Sequence, residues 1–184
     1  MIRALLTVAA VTFAQTSEDA MRRWREAERQ IVRLLPTAFP ELPGNLVREL
    51  QRRRCTVPQA VRGQTRNVIR GAFTKPGQMD WAVLCSVNGT SSILVFWNGS
   101  ERNAAEVAPV KDIDFLQGDV GDKIVYSRGL SVVGRDYIIE RYQAYGGPTP
   151  PPIDHQGIDD AFFGKASGVH YLFEGKWLRL QGAD

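Results

Sequence analysis

Residues Asn67 to Gly99 read "NVIRGAFTKPGQMDWAVLCSVNGTSSILVFWNG". Three runs here are rich in β-branched and aromatic residues, and Asn-Gly pairs punctuate them. An Asn-Gly pair tolerates positive φ at both positions, which is what a two-residue hairpin turn requires. Asn88-Gly89 therefore predicts a tight hairpin between the strand ending at Val87 and the "SSILVF" run. From residue 67 onward the signals are those of β-strands.

The same signals continue toward the C-terminus. "KIVYS", "RDYIIERYQAY", "GVHYLF" and "WLRLQ" read as further strands, the last after a turn at Gly175-Lys176. "GGPTPPP" (Gly146 to Pro152) holds four prolines in seven residues and reads as a stiff loop inside the domain. The first third of the chain is different. Met21, Trp24, Ala27, Ile31 and Leu34/Leu35 recur at helical spacing after a capping-type start at Thr16 and Asp19, and Pro36 ends the run. A second helix is expected from about Asn45 to Arg54, with Leu46, Val47 and Leu50 inward. The expected fold is α+β, with two N-terminal helices packed on one antiparallel sheet of six or seven strands.

At 184 residues with 43% apolar content, the chain suits one domain with a sizeable core. Residues 1–14 read as a secretory signal peptide: Arg3 is basic, "ALLTVAAVTFA" is apolar, and Thr12 and Ala14 are small residues before Gln15. That run is too short to span a bilayer, and no later stretch is long enough. The single domain is then 15–184, secreted or periplasmic. In that compartment the two cysteines, Cys55 and Cys85, are expected to pair.

"GAFTKPGQMDWAV" (Gly71 to Val83) resembles an FG-GAP repeat of integrin-type propellers, a Gly-x-Phe start and an Asp-rich Ca²⁺ loop running into a strand. Gly71, Phe73, Gly77, Asp80, Ala82 and Val83 match the pattern. Ala72 and Pro76 stand where the family has carboxylates, and only Thr74 and Asp80 offer side-chain oxygens. Ca²⁺ takes six to eight oxygens, so the loop reads as a shell kept for its turn, with Lys75 placed to pair with Asp80. A fainter copy, "IDHQGIDDAFFGKASGVHYLF", sets Asp154, Gln156, Gly157 and Asp160 at similar offsets, with Asp159 beside them. These acids are read as fixing the turn and capping the strand start, and any metal would sit in this second loop. The resemblance implies blade-like local structure in a secreted bacterial protein with FG-GAP-like segments. Two copies cannot close a propeller.

Catalytic groups are sparse. His155 beside Asp154, and His170, offer a His/Asp pair, but no G-x-S-x-G nucleophile motif accompanies them. Arg48, Arg52, Arg53, Arg54, Arg62, Arg66, Arg70 and Lys75 form a basic cluster against Glu49. It reads as a solvated face, or as a contact for an anionic surface polymer, and the lack of interleaved aromatics argues against nucleic acid. "ASGVHY" weakly resembles a loop of periplasmic lysozyme inhibitors, which implies roles for Lys165, Ser167 and Tyr171 on a protruding loop. The reading is a non-catalytic binding or structural module for a protein or surface polymer, without cofactor, metal or catalytic residue. A hydrolase using a His/Asp pair and a lysozyme inhibitor are the alternatives.

Overall fold

The computed structural model describes residues 18–61 and 67–184. The expected signal peptide, Thr16, Arg62 and Arg66 lie outside the described residues. Helix α1 (18–29) leads to β1 (Arg33–Leu34), helix α2 (Gly44–Arg52) and β2 (Val57–Pro58), which pairs with β1. Next, β3 (Val68–Gly71), β4 (Asp80–Val87), β5 (Thr90–Phe96) and β6 (Ala105–Lys111) form an antiparallel meander. A hairpin of β7 (Leu116–Asp119) and β8 (Lys123–Tyr126) follows. The second meander is β9 (Arg128–Val133), β10 (Gly157–Phe162), β11 (Ala166–Phe173) and β12 (Lys176–Gln181), with helix α3 (Arg135–Tyr145) between its first two strands.

The α+β class holds, and the finer layout does not. The described strands divide among four sheets rather than one, and the described helices number three. Helix α1 stops at residue 29, short of Pro36, because Arg33 and Leu34 pair with β2 and the Arg33 guanidinium reaches Asp112 at 2.7 Å. "RDYIIERYQAY" is a helix, not a strand. Gly134 precedes it, Asp136 lies in its first turn, and Gly146 at φ 75° closes it by donating to the Tyr142 carbonyl.

Strand alternation builds the layers. Ala82 and Leu84 of β4, and Ile93 and Val95 of β5, point to one face, where they pack with Leu130 of β9 and Ile158 of β10. The two four-stranded sheets thus stack as a sandwich. The opposite face of β4 and β5 carries Trp81, Val83, Cys85, Leu94 and Phe96, which α2 covers with Leu46 and Leu50. The outer face of the second sheet is covered by α3 through Ile138, against Val169, Tyr171 and Leu180. The expected hairpin is present: Val87 faces Thr90, with Asn88 at φ 52° and Gly89 at φ 76°. Cys55, just past α2, is bridged to Cys85 in β4, with a Cα–Cα distance of 5.1 Å. This internal disulfide is consistent with an extracellular or periplasmic location. No described helix is long and apolar enough to cross a membrane.

Candidate functional site

The first FG-GAP-like loop is organised by one buried carboxylate. Asp80 Oδ2 accepts from the Phe73 and Thr74 amides at 3.1 and 3.0 Å and from the Thr74 hydroxyl at 2.6 Å. Its Oδ1 accepts from Gln78 Nε2 at 2.7 Å and the Asn98 amide at 2.8 Å. Lys75 is exposed, so amides and a hydroxyl replace the expected lysine partner. The two FG-GAP-like segments lie in different sheets of a sandwich, not in a propeller.

The second loop disperses its polar side chains. Gln156 Oε1 accepts from the Ala72 amide at 2.8 Å and so ties the two segments together. Asp154 Oδ1 accepts from the Tyr171 hydroxyl at 3.1 Å. Asp160 turns to Arg128 instead of capping the strand start. No group of three or more metal-ligating side chains converges among the described residues. His155 Nε2 lies 3.9 Å from Asp154 Oδ1, beyond hydrogen-bond distance. Its ring nitrogens each lie 2.9 Å from a backbone carbonyl, of Gln156 and Leu172, and it stacks on Tyr171 with 4.2 Å between ring centres. Tyr171 is fully buried in β11. Lys165, Ser167 and Tyr171 therefore do not form the protruding loop that a lysozyme inhibitor would need.

The chemistry gathers at the other end of the sandwich, where β4 ends and β10 ends. Asp112 is fully buried and accepts from Arg33, from the Ser86 hydroxyl at 2.6 Å and from the Ser91 hydroxyl. Arg128, also fully buried, donates through Nε and Nη2 to the two oxygens of Asp160 at 2.8 and 2.9 Å. Its other donors reach the carbonyls of Ser91 and Ala108 at 3.0 Å each, and Phe115 caps its plane at 4.6 Å. Asp160 Oδ2 also meets His170 Nε2 at 3.3 Å. Burial raises the Asp160 carboxyl, but hydrogen bonds from His170 and Arg128 outweigh it and hold the group at about 2. Tyr126 is buried beside this network, and burial pushes its hydroxyl well above the usual phenol range.

A cleft of about 310 Å³ opens over this network between the free edges of the two sheets. Ala108 and Val110 of β6, Phe115, and Phe162 of β10 form its apolar walls, and Asp160, His170 and Arg179 its polar corner. Arg179 of β12 lies directly opposite His170 in register and is exposed. It lies against Gly168, where a Cβ would meet its Nε at 2.6 Å, so only glycine lets the guanidinium rest on β11. No ion pair of Arg179 forms among the described residues. Ser167 also borders the cleft, but alternation sends its side chain to the other face. There its Oγ accepts from the Ala183 amide at 2.8 Å and faces Asp159. Burial raises the Asp159 carboxyl. Ser167 is therefore not placed as a nucleophile for the Asp160–His170 pair.

The basic cluster is partly neutralised and spread out. Glu49 accepts from Arg52 and Arg53 at 2.7 Å each, and these bonds hold its carboxyl at about 2. Arg70 lies 5.7 Å from the centre of the Trp81 ring, and Arg48, Arg54 and Lys75 are exposed. The sequence reading missed Arg128, Asp112 and Arg179. Arg179 sits mid-strand in an alternating run, and Arg128 and Asp112 are linked through Ser91, whose carbonyl accepts from the one and whose hydroxyl donates to the other. Comparison with protein-family models, with curated proteins and with solved structures gives no match.

Proposed function

We propose that the protein is a secreted or periplasmic, non-catalytic binding module whose β6–β12 cleft takes an anionic group of a partner protein or surface polymer. One observation carries this reading: Arg179 is an exposed cation laid over Gly168, beside a preordered His170, at the mouth of an apolar cleft. Arg128 and Asp160 cancel each other beneath it. The local field is therefore positive and suits an anion. The internal disulfide supports the compartment. The FG-GAP resemblance is, in this reading, a matter of local loop and meander structure. The test is retention on a carboxylated matrix against an uncharged one, over a salt gradient. Wild type should be retained, Arg179→Glu should elute with the void, and Arg48→Glu, changed on the basic cluster, should behave as wild type. Equal losses in both variants would assign retention to overall charge and remove the cleft from the account.

A hydrolase reading draws on the same Asp160–His170 pair. It requires His170 to activate water, because Ser167 faces away. Ester or amide hydrolysis by the wild type that is lost in His170→Ala would replace the binding reading.

A further inference from the structure

Building on the binding reading, we propose that the cleft recognises the C-terminal residue of a peptide chain: the free carboxylate on Arg179, the last amide N–H on His170, and an apolar side chain against the wall that Phe115 and Phe162, packed on each other at 5.3 Å, present to the cleft. The charge sets the first part. With Arg128 and Asp160 paired, Arg179 is the one cation without a charged partner among the residues that line the cleft; Lys165, outside the lining, lies over the Phe162 ring at 4.2 Å. One cation suits a monoanion, and a planar guanidinium matches a carboxylate in bidentate fashion. A dianion such as a phosphomonoester would leave one negative charge facing Asp160.

Hydrogen-bond polarity sets the second part. Asp160 is ionised and can only accept, so His170 Nε2 carries the proton that fills the 3.3 Å contact. In its neutral form the ring then presents Nδ1 as an acceptor, with no partner among the described residues, on a side chain that lines the cleft. An acceptor repels a carboxylate and calls for an N–H. Cation and acceptor are thus set one strand apart, Arg179 opposite His170. The amide and carboxylate of a terminal residue are joined through a single Cα and present the complementary pair.

The walls set the third part. The cleft volume lies at the lower end of the roughly 300–1,000 Å³ typical of small-molecule clefts, which suits one side chain. Its apolar lining leaves the hydroxyls of a uronic acid unpaired, and buried unpaired hydroxyls are costly.

The experiment is a ¹H–¹⁵N titration of the full chain with four probes: N-acetyl-L-phenylalanine, its C-terminal amide, 3-phenylpropionate and galacturonate. N-acetyl-L-phenylalanine should saturably shift the His170 and Arg179 signals. The amide and galacturonate should not shift them, and 3-phenylpropionate, which lacks the N–H, should bind roughly tenfold more weakly or worse. Arg179→Met should lose roughly tenfold or more in affinity. Gly168→Ala, which keeps the charge but displaces the guanidinium, should weaken binding in the same direction. Equal or tighter binding of 3-phenylpropionate would overturn the proposal in favour of a plain organic acid, and tighter binding of galacturonate in favour of a polymer. No shift with any probe, while retention on the carboxylated matrix still depends on Arg179, would overturn the peptide assignment and leave the binding module standing.

Discussion

Asp80→Asn separates a metal loop from a self-sufficient one. The five donors on the carboxylate divide between its oxygens, three on Oδ2 and two on Oδ1. An asparagine keeps one acceptor. With its amide nitrogen in the Oδ1 position, Gln78 can rotate its own amide to suit, but the Asn98 amide is left facing a donor. With the nitrogen in the Oδ2 position, the Phe73 and Thr74 amides are both stranded, so the first orientation wins. One stranded, part-buried amide costs about 1–2 kcal/mol, and lost charge assistance in the other bonds adds roughly 1 kcal/mol for each that matters. The sum is about 3–5 kcal/mol. Urea unfolding followed by tryptophan fluorescence, with Trp81 adjacent, measures it. At a slope of about 2 kcal/mol/M the midpoint should fall by roughly 2 M. Added Ca²⁺ should not move the wild-type midpoint, because the loop's donors point at the site a cation would need. A variant within about 1 kcal/mol of wild type, or a wild type stabilised by Ca²⁺, would refute the reasoning.

Three more outcomes follow from buried or cross-linked groups. Arg128→Met should cost about 3–5 kcal/mol in urea unfolding, because it strands the Asp160 charge and two carbonyls, and adding Asp160→Leu should restore much of that. A full-sized loss that persists in the double variant would show that packing, not charge, governs the site. The Asp160 carboxyl is depressed from 3.8 to about 2 in the fold, so its stabilisation is fully present above the unfolded value and is lost as pH falls through the folded one. That contribution is on the order of 2–3 kcal/mol, and the stability gap between wild type and Asp160→Asn should close between pH 4 and 2; a gap flat to pH 2 would contradict it. Reducing the Cys55–Cys85 bridge, which closes a 30-residue separation, should lower stability by roughly 3–4 kcal/mol, seen as a lower melting temperature in reductant.

What the sequence disclosed depends on how local the cause is. Asn88-Gly89 needs only its own two φ angles, and the hairpin appears where expected. Leu46 and Leu50 lie one turn apart, and the second helix is found with that face buried. Helix α3 was misread because Tyr137, Ile138, Ile139, Tyr142 and Tyr145 all favour strands, and only Gly134, Asp136 and Gly146 marked a helix. The stacking of the two four-stranded sheets depends on Leu130 and Ile158 meeting Ala82 and Ile93, a choice that no window of sequence contains. The cleft was hidden for the same reason. Asp160 was read as a turn residue because its partner Arg128 is 32 positions away, and Arg179 gains meaning only when Gly168 lies beneath it.

The central claim is that this chain acts by binding through the β6–β12 cleft. Hydrogen–deuterium exchange of the full chain, alone and in periplasmic or secreted extract, tests it without presupposing a ligand. The account predicts slowed exchange along β12, β6 and the turn that carries Phe115, with the slowing absent in Arg179→Glu. Protection on the Arg48 to Arg54 face instead, or none that depends on Arg179, would contradict it.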